Sequence, residues 1–464
     1  MKKKQPKFTR REFIHASAMG TAGLTMGSGI AGCLEGPRQP LPAPGRPKLS
    51  RAHLSSFRDY VETLKNIGEI QEIDCEVDWH LEAGAIIRRS YDLKAPAPLF
   101  NNIKDSAQGF RLLGAPAALS RQRDQRYCRP AISLGLPPSA SFAEVIETLS
   151  RVPEVKPIRP KPVSTGLCKQ NIILGDQVDL LKFPVPFLHQ GDGGRYINTW
   201  GTIIVRTPDR SWTNWAIARI MVHDRKTMTG MISPRQHLGV VMDEWKKIGE
   251  PMPFALALGC PPVTPFVSSM AVDRDVDEAD LIGGFIGKPL ELVKGETVDL
   301  MVPASAEIVI EGRVHYDDLK PEGPMGEYSG YMPGTKHSMA PSYHVSAISH
   351  RDDPILPAVC AGEPVEECHT CWALGVAAKV LSDLRKNGFP VVGCSCPPEA
   401  ALHFLAVSVD IDAYKGDDIV AELADLVFTS KAGKIVPKII LVDKDVDVTD
   451  TNAVLWAFAT RCHT

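Results

Sequence analysis

Two acids stand five residues apart in "PEGPMGEYSGYM", residues 321–332: Glu322 and Glu327, separated by Gly-Pro-Met-Gly. Gly and Pro interrupt helices and sheets, so the composition predicts a tight loop carrying both carboxylates. A close pair can hold different protonation states, which suits general acid–base work. Two loop glutamates that simply face water are the plainer reading of this segment taken alone. In "WTNWAIARIMVHD", Arg219 lies among Ala, Ile and Met, where a guanidinium is costly to bury unless a carboxylate pairs with it. Its partner must come from elsewhere in the chain, and Glu322 and Glu327 are candidates. Asn214, five residues before Arg219, would point to the opposite face of an unbroken strand, so a bulge or turn is needed to bring both to one pocket.

A second group is more dispersed. "SPRQHLG" places His237 on a turn, and "DVDEADLIGG" places Glu278 among acids expected to be solvated. With Asn214 they make a mixed N/O donor set suited to Mn²⁺ or Mg²⁺ rather than to a thiolate zinc site. Spacing alone does not unite them, and a lone His on a turn is more often structural. "CHTC", Cys368–Cys371, has redox or zinc-ligand spacing, but no second CxxC lies nearby, and "CSC" at Cys394 and Cys396 cannot complete one. Buried thiols are the expectation there. The chain contains no GxxxxGK, no GxGxxG after a strand and no GxSxG.

The elements that position these groups follow from periodicity. "SSFRDYVETLKNIGEI" spaces Phe57, Tyr60, Val61 and Leu64 as a helix, capped by Ser55 or Ser56 and ended by Gly68. "GEIQEIDCEVD" reads as a strand, "EAGAIIRRSYDL" as a helix and "APLFNNI" as a strand, so residues 54–165 mix α and β. From 166 to 355, short β-rich runs joined by turns such as "TPDRS" point to a barrel-like or closed sheet rather than a βαβ repeat. From 366, a helical "HTCWALGVAAKVLSDLRKNG" leads into a compact α/β unit ending at 464.

The chain has 464 residues, 44% apolar and 23% charged, with net charge −3 and 11 scattered cysteines. This is a globular multidomain composition with no basic field for nucleic acid and no dense disulfide framework. The first 33 residues differ. A basic start, "TRREFI" with Arg10 and Arg11, and a mildly apolar run resemble a twin-arginine export signal. "IAGC" ending at Cys33 resembles a lipoprotein cleavage box, with Cys33 as a lipid anchor. Residues 34–53 hold five prolines and read as a tether. The expected location is therefore the periplasm, free or as a membrane-anchored lipoprotein.

The stretches "SFRDYVETLK", "APLFNN", "FRLLGAP", "DGGRYINTWGTIIV", "SWTNWAIARIMVHD", "PRQHLG", "PEGPMGEYSGYM" and "VLWAFATRC" occur in an order that resembles the UbiD family of prenylated-FMN-dependent decarboxylases, over residues 54–464. The nearest likeness within it is to the ferulic (cinnamic) acid decarboxylases. The resemblance implies an α+β multidomain fold: a split β-barrel flavin-binding domain over 54–355 and an α/β oligomerisation domain over 366–464. It implies reversible decarboxylation of an α,β-unsaturated or aromatic acid by Arg219, Glu322 and Glu327, with Glu327 in the proton-donor position. It implies Mn²⁺ at Asn214, His237 and Glu278, and K⁺ at Trp215, Val267, Ser268, Met270 and Glu278. Cofactor contacts are implied at Thr199, Asn214, Trp215, Ala216, Ile217, Ala218, Arg219, Gln236, His237, Met270, Glu278 and Lys431. Trp372 and Ile435 match substrate-pocket positions. Partners implied are a flavin prenyltransferase as cofactor supplier and a second copy in a homodimer or higher oligomer. Two departures stand out. The family usually continues past "TRC" with a helical arm that completes the subunit interface, and most relatives are cytoplasmic without an export signal. Two other readings remain open on the residues: an exported, non-catalytic flavin- or ligand-binding homologue lacking that arm, and a hydrolase whose metal activates water.

Overall fold

The computed structural model describes residues 54–461, apart from 333 and 335. The export signal, Cys33 and the tether lie outside the described residues. No helix among the described residues is long and apolar enough to cross a membrane.

The first helix, Phe57–Asn66, forms where the sequence predicts it. Ser56 is the cap, its hydroxyl accepting the Asp59 N–H, and Phe57, Tyr60, Val61 and Leu64 are buried. Gly68 adopts φ +80°, the left-handed turn that lets the chain reverse. The strand that follows is shorter than expected, Ile70–Ile73. It heads a four-stranded sheet with Ala97–Phe100, Arg111–Gly114 and Ile355–Ala358. The last of these arrives from more than 200 residues downstream, so the N-terminal α/β portion is closed by the strand that leaves the large sheet.

The large sheet orders its strands Arg195–Asn198, Ile220–Val222, Thr227–Gly230, Ser338–His350, Ile308–Glu322, Met252–Leu258, Thr202–Arg206 and Thr213–Ala216, with Asn171–Leu174 branching from Ser338–His350. Two connections cross from one end of this order to the other, residues 199–201 and 217–219. A flat sheet would separate the strands they join by about 29 Å, at about 4.8 Å per strand. A three-residue link spans at most about 14 Å. The sheet therefore curls until its ends approach, and Asn198 ties the two links together. Its Oδ1 accepts the Gly201 N–H at 2.6 Å and its Nδ2 donates to the Ala218 carbonyl at 2.6 Å.

The C-terminal unit stacks the strands Val391–Ser395, Leu405–Val409 and Ile439–Asp443 against the helices Ala373–Lys386, Ile419–Thr429 and Thr451–Arg461. One continuous apolar cluster joins it to the curled sheet, from Trp215 and Phe266 to Leu374 and Leu405. The fold is thus α+β and multidomain. "CHTC" is a π-helical turn, Cys368–Trp372, set ahead of the helix Ala373–Lys386 rather than being its first turn. Cys371, Cys394 and Cys396 are buried, and the described cysteines are all free.

Candidate active site

Arg219 owes its position to the break at residues 217–219. The strand Thr213–Ala216 stops, the chain crosses between the sheet's two ends, and Ile220–Val222 begins on the far side. An interruption between Asn214 and Arg219 is what the sequence required if both were to serve one pocket. The two acids reach Arg219 from different elements. Glu322 is the last residue of the strand Ile308–Glu322, not a loop residue as its Gly-Pro neighbours suggested. The strand's pairing with Ser338–His350 persists to the end and binds Glu322 opposite Ser338. Gly323, at φ +75°, then turns the chain away. Glu327 lies on the turn beyond, where its N–H donates to the Tyr331 carbonyl.

Glu322 is fully buried, 0% exposed at the side chain, and receives Nε and Nη2 of Arg219 at 2.9 and 3.0 Å. Glu327 is 32% exposed and receives Nη1. Burial alone would lower the Arg219 pKa, but the hydrogen bonds and charge of Glu322, with the charge of Glu327, raise it instead, so the guanidinium is always protonated. Tyr196 donates its hydroxyl to Glu322 Oε1 at 3.2 Å, and burial together with the Glu322 charge pushes the phenol up, keeping it a donor. Tyr196 was missed in the sequence. It sits in "DGGRYIN", where nothing about a strand tyrosine marks a carboxylate partner.

The metal-type donors are partly assembled. Asn214 Nδ2 donates to Glu278 Oε1 at 2.9 Å, and the Trp215 N–H donates to Oε2 at 2.9 Å. Glu278 is the first residue of the helix Glu278–Ile286 and is 2% exposed, so it is not among solvated acids as expected. Burial pushes its carboxyl up to about 8. Asn214 Oδ1 is buried and has no hydrogen-bond partner among the described residues. An orphaned amide oxygen beside a carboxylate that burial disfavours is a pair of hard donors lacking a positive charge, which a divalent cation satisfies. His237 begins the helix His237–Lys247 rather than sitting on a free turn, and exposed Gln236 precedes it. Its Nε2 accepts from Lys431 Nζ at 2.5 Å, and Nζ also reaches the Val272 carbonyl at 2.9 Å. Burial and the Lys431 charge hold His237 down at about 4, a neutral imidazole with a lone pair to give. Burial brings Lys431 down to about 8, and Glu278 is among the charges around it.

Thr199 Oγ1 accepts the Val359 N–H at 2.8 Å. The helix Thr264–Ser269 carries buried Val267 and half-buried Ser268, whose hydroxyl meets Thr202 Oγ1 at 3.3 Å, and Met270 caps it, buried. Ala216, Ile217 and Ala218 form the half-buried backbone between Trp215 and Arg219. Trp372 is half-buried and meets Tyr328, the residue after Glu327, edge-on at 5.3 Å. Ile435 lies on the turn Gly433–Ile435, 40% exposed.

Known proteins share this arrangement of chain. Residues 61–149, 161–364 and 369–464 match, respectively, the N-terminal, Rift-related and C-terminal domains of 3-octaprenyl-4-hydroxybenzoate carboxy-lyase. Pyrrole-2-carboxylic acid decarboxylase of Pseudomonas aeruginosa is 44% identical over 413 residues, 88% of this chain and 83% of that protein. Ferulic acid decarboxylase 1 of Saccharomyces cerevisiae is 39% identical over 415 residues, 87% of this chain and 82% of that protein. Among solved structures, an evolved dimeric form of the UbiD-class enzyme HmfF from Pelotomaculum thermopropionicum, in complex with prFMN, superposes with a TM-score of 0.77. Its identity is 28%, covering 88% of this chain and 90% of that one. The chain belongs to the UbiD family of carboxy-lyases.

Proposed function

We propose that the protein decarboxylates an aromatic, heteroaromatic or α,β-unsaturated monocarboxylic acid, with Arg219, Glu322 and Glu327 as its working set. The observation that carries the reading is one arginine shared by two acids of unequal burial. The bound prenylated flavin supplies the electron sink that no side chain offers when CO₂ leaves. The protein supplies position and charge. Glu322 fixes the guanidinium plane with two hydrogen bonds, and Arg219 orients a carboxylate. Glu327, the more accessible acid, delivers a proton from its carboxyl to the carbon that CO₂ has vacated.

Mn²⁺ is proposed at Asn214 Oδ1, Glu278 and His237 Nε2; Lys431, which now holds that imidazole lone pair, would then be available to an anionic group of the cofactor. K⁺ is proposed beside it at Trp215, Val267, Ser268, Met270 and Glu278. The curled sheet is read as a split barrel, and the assembly as a homodimer supplied with cofactor by a flavin prenyltransferase. Export by the twin-arginine route, with Cys33 lipidated, completes the reading. Replacing Arg10 and Arg11 by Lys should then retain flavin-loaded protein in the cytoplasm.

The decisive experiment co-expresses the chain with a flavin prenyltransferase and identifies the bound cofactor by mass spectrometry. Pyrrole-2-carboxylate, cinnamates and hydroxybenzoates are then screened for CO₂ release. Fully loaded protein that releases CO₂ from none of them would overturn the proposal. The hydrolase reading predicts colourless protein, and the non-catalytic reading predicts colour without turnover.

A further inference from the structure

Glu327 presents a positioning problem. Its side chain is a third exposed and touches Arg219 with one oxygen, so its own packing does not locate it. Its loop contains Gly323 and Gly330, both at positive φ, which leaves the unrestrained backbone free to wander. Its own backbone closes a local turn, the N–H donating to the Tyr331 carbonyl and the carbonyl accepting the Gly330 N–H, and anchors to more distant elements lie on its two neighbours. The Gly326 N–H donates to Asp192 Oδ1 at 2.9 Å, and the Tyr328 carbonyl accepts from His369 Nε2 at 2.9 Å.

Each anchor is tied to a second residue close in sequence, Asp192 to the His189 ring and His369 to the Glu366 backbone. Asp192 is fully buried at the side chain and faces His189 Nδ1 at 3.0 Å, while His189 Nε2 donates to the Ala361 carbonyl at 2.7 Å. Burial would lower the His189 pKa, but the Asp192 hydrogen bond and the adjacent Cys360 thiol raise it to about 10, so both ring nitrogens carry protons. A β-carbon on Gly326 would come within 2.7 Å of that ring, so the residue must be glycine for the loop to settle against it. On the other side, His369 Nδ1 accepts the Glu366 N–H at 3.0 Å and lies 3.2 Å from Glu366 Oε1. Burial pushes Glu366 up to about 8 and His369 down to about 4, so this pair is uncharged near neutrality. That contact is therefore not an ion pair, and Nε2 keeps the proton it gives to Tyr328.

We infer that His189–Asp192 and His369–Glu366 are positioning pairs that bracket Glu327 and hold its carboxyl against Arg219. They fix three consecutive residues from both ends. They also fasten the loop to the segment 360–369, which leads from the curled sheet into the C-terminal unit, so the loop is aligned with both halves of the fold at once. The inference rests on Glu327 being the proton donor proposed above.

The test uses Asp192→Ala and His369→Ala in flavin-loaded protein, with Asp192→Asn and His369→Gln as conservative partners that still offer an acceptor and a donor. Amide hydrogen exchange is read on a peptide spanning 322–332 and on one spanning 308–318. Expected is exchange at least ~10-fold faster over 322–332 in the Ala variants, with 308–318 as protected as in the wild type. Turnover number should fall by about 10–100-fold with KM changed by less than about 3-fold, and the Asn and Gln variants should recover most of it. Unchanged exchange over 322–332 in both Ala variants overturns the inference. So does faster exchange across the whole chain, which would mark a general structural role. Local loosening without loss of turnover overturns it as well. A wild type with no decarboxylase activity would sink the proposed reaction instead, and the exchange result would still decide whether the pairs clamp the loop.

Discussion

The unequal burial of the two acids makes a quantitative prediction that separates them. Glu322→Gln removes a carboxylate that is 0% exposed and takes two guanidinium hydrogen bonds. Glutamine can accept one of those bonds but turns an amide N–H₂ toward the other donor. Removing one partner of a buried pair costs about 3–5 kcal/mol. Arg219 is 21% exposed and keeps Glu327, so the expected loss is about 2–4 kcal/mol. Glu327→Gln removes a carboxylate that is about a third exposed and has one contact, which is worth about 0–1 kcal/mol after solvent screening. At a denaturant slope of about 2 kcal/mol/M, the urea midpoint should fall by about 1–2 M for Glu322→Gln and by less than about 0.5 M for Glu327→Gln. The assay is equilibrium unfolding of flavin-free protein by tryptophan fluorescence, paired with CO₂ release by loaded protein. Both variants should lose at least about 100-fold in turnover, Glu322→Gln by misplacing Arg219 and Glu327→Gln by withholding the proton. If Glu327→Gln lowers the midpoint as far as Glu322→Gln does, or if Glu322→Gln leaves the midpoint at the wild-type value, the division between a structural and a chemical acid is wrong.

Other outcomes follow from the same contacts. His237→Ala should lower Mn²⁺ and flavin content after gel filtration while leaving the urea midpoint of flavin-free protein near wild type; unchanged metal and flavin would remove His237 from the metal set. Trp372→Ile should shift relative kcat/KM from small or heteroaromatic acids toward larger cinnamates by no more than about 1–3 kcal/mol, and identical ratios in both proteins would show that the indole beside Tyr328 does not shape the pocket. His189 has a folded pKa raised to about 10 beside Asp192, so its contribution to stability is complete below about pH 6.5 and is lost as pH rises through 10. The stability advantage of wild type over His189→Gln should therefore shrink between pH 6.5 and 10.5 in urea titrations, and a constant gap would mean the imidazole is not charged in the folded state.

Local rules were sufficient for the parts of this protein that depend on neighbours in sequence. The helix Phe57–Asn66, its Ser56 cap and the turn at Gly68 follow from side-chain period and capping chemistry, which act within a few residues. That Arg219 needs a distant carboxylate followed from desolvation cost, and the two-residue period added that an unbroken strand would set Asn214 and Arg219 on opposite faces. What the sequence could not settle was which face meets which. Glu322 reads as a loop residue beside Gly-Pro, but the ladder to Ser338 extends the strand through it, and that ladder is a long-range pairing. Glu278 reads as one solvated acid among several. It is buried because two backbone crossings curl the sheet and bring Asn214 and the Trp215 N–H onto its carboxylate. Tyr196, Asp192 and His369 carry no local mark at all. Each acts through hydrogen bonding to residues more than 40 positions away, and only the closed arrangement of sheet, loop and C-terminal unit brings those atoms within about 3.3 Å.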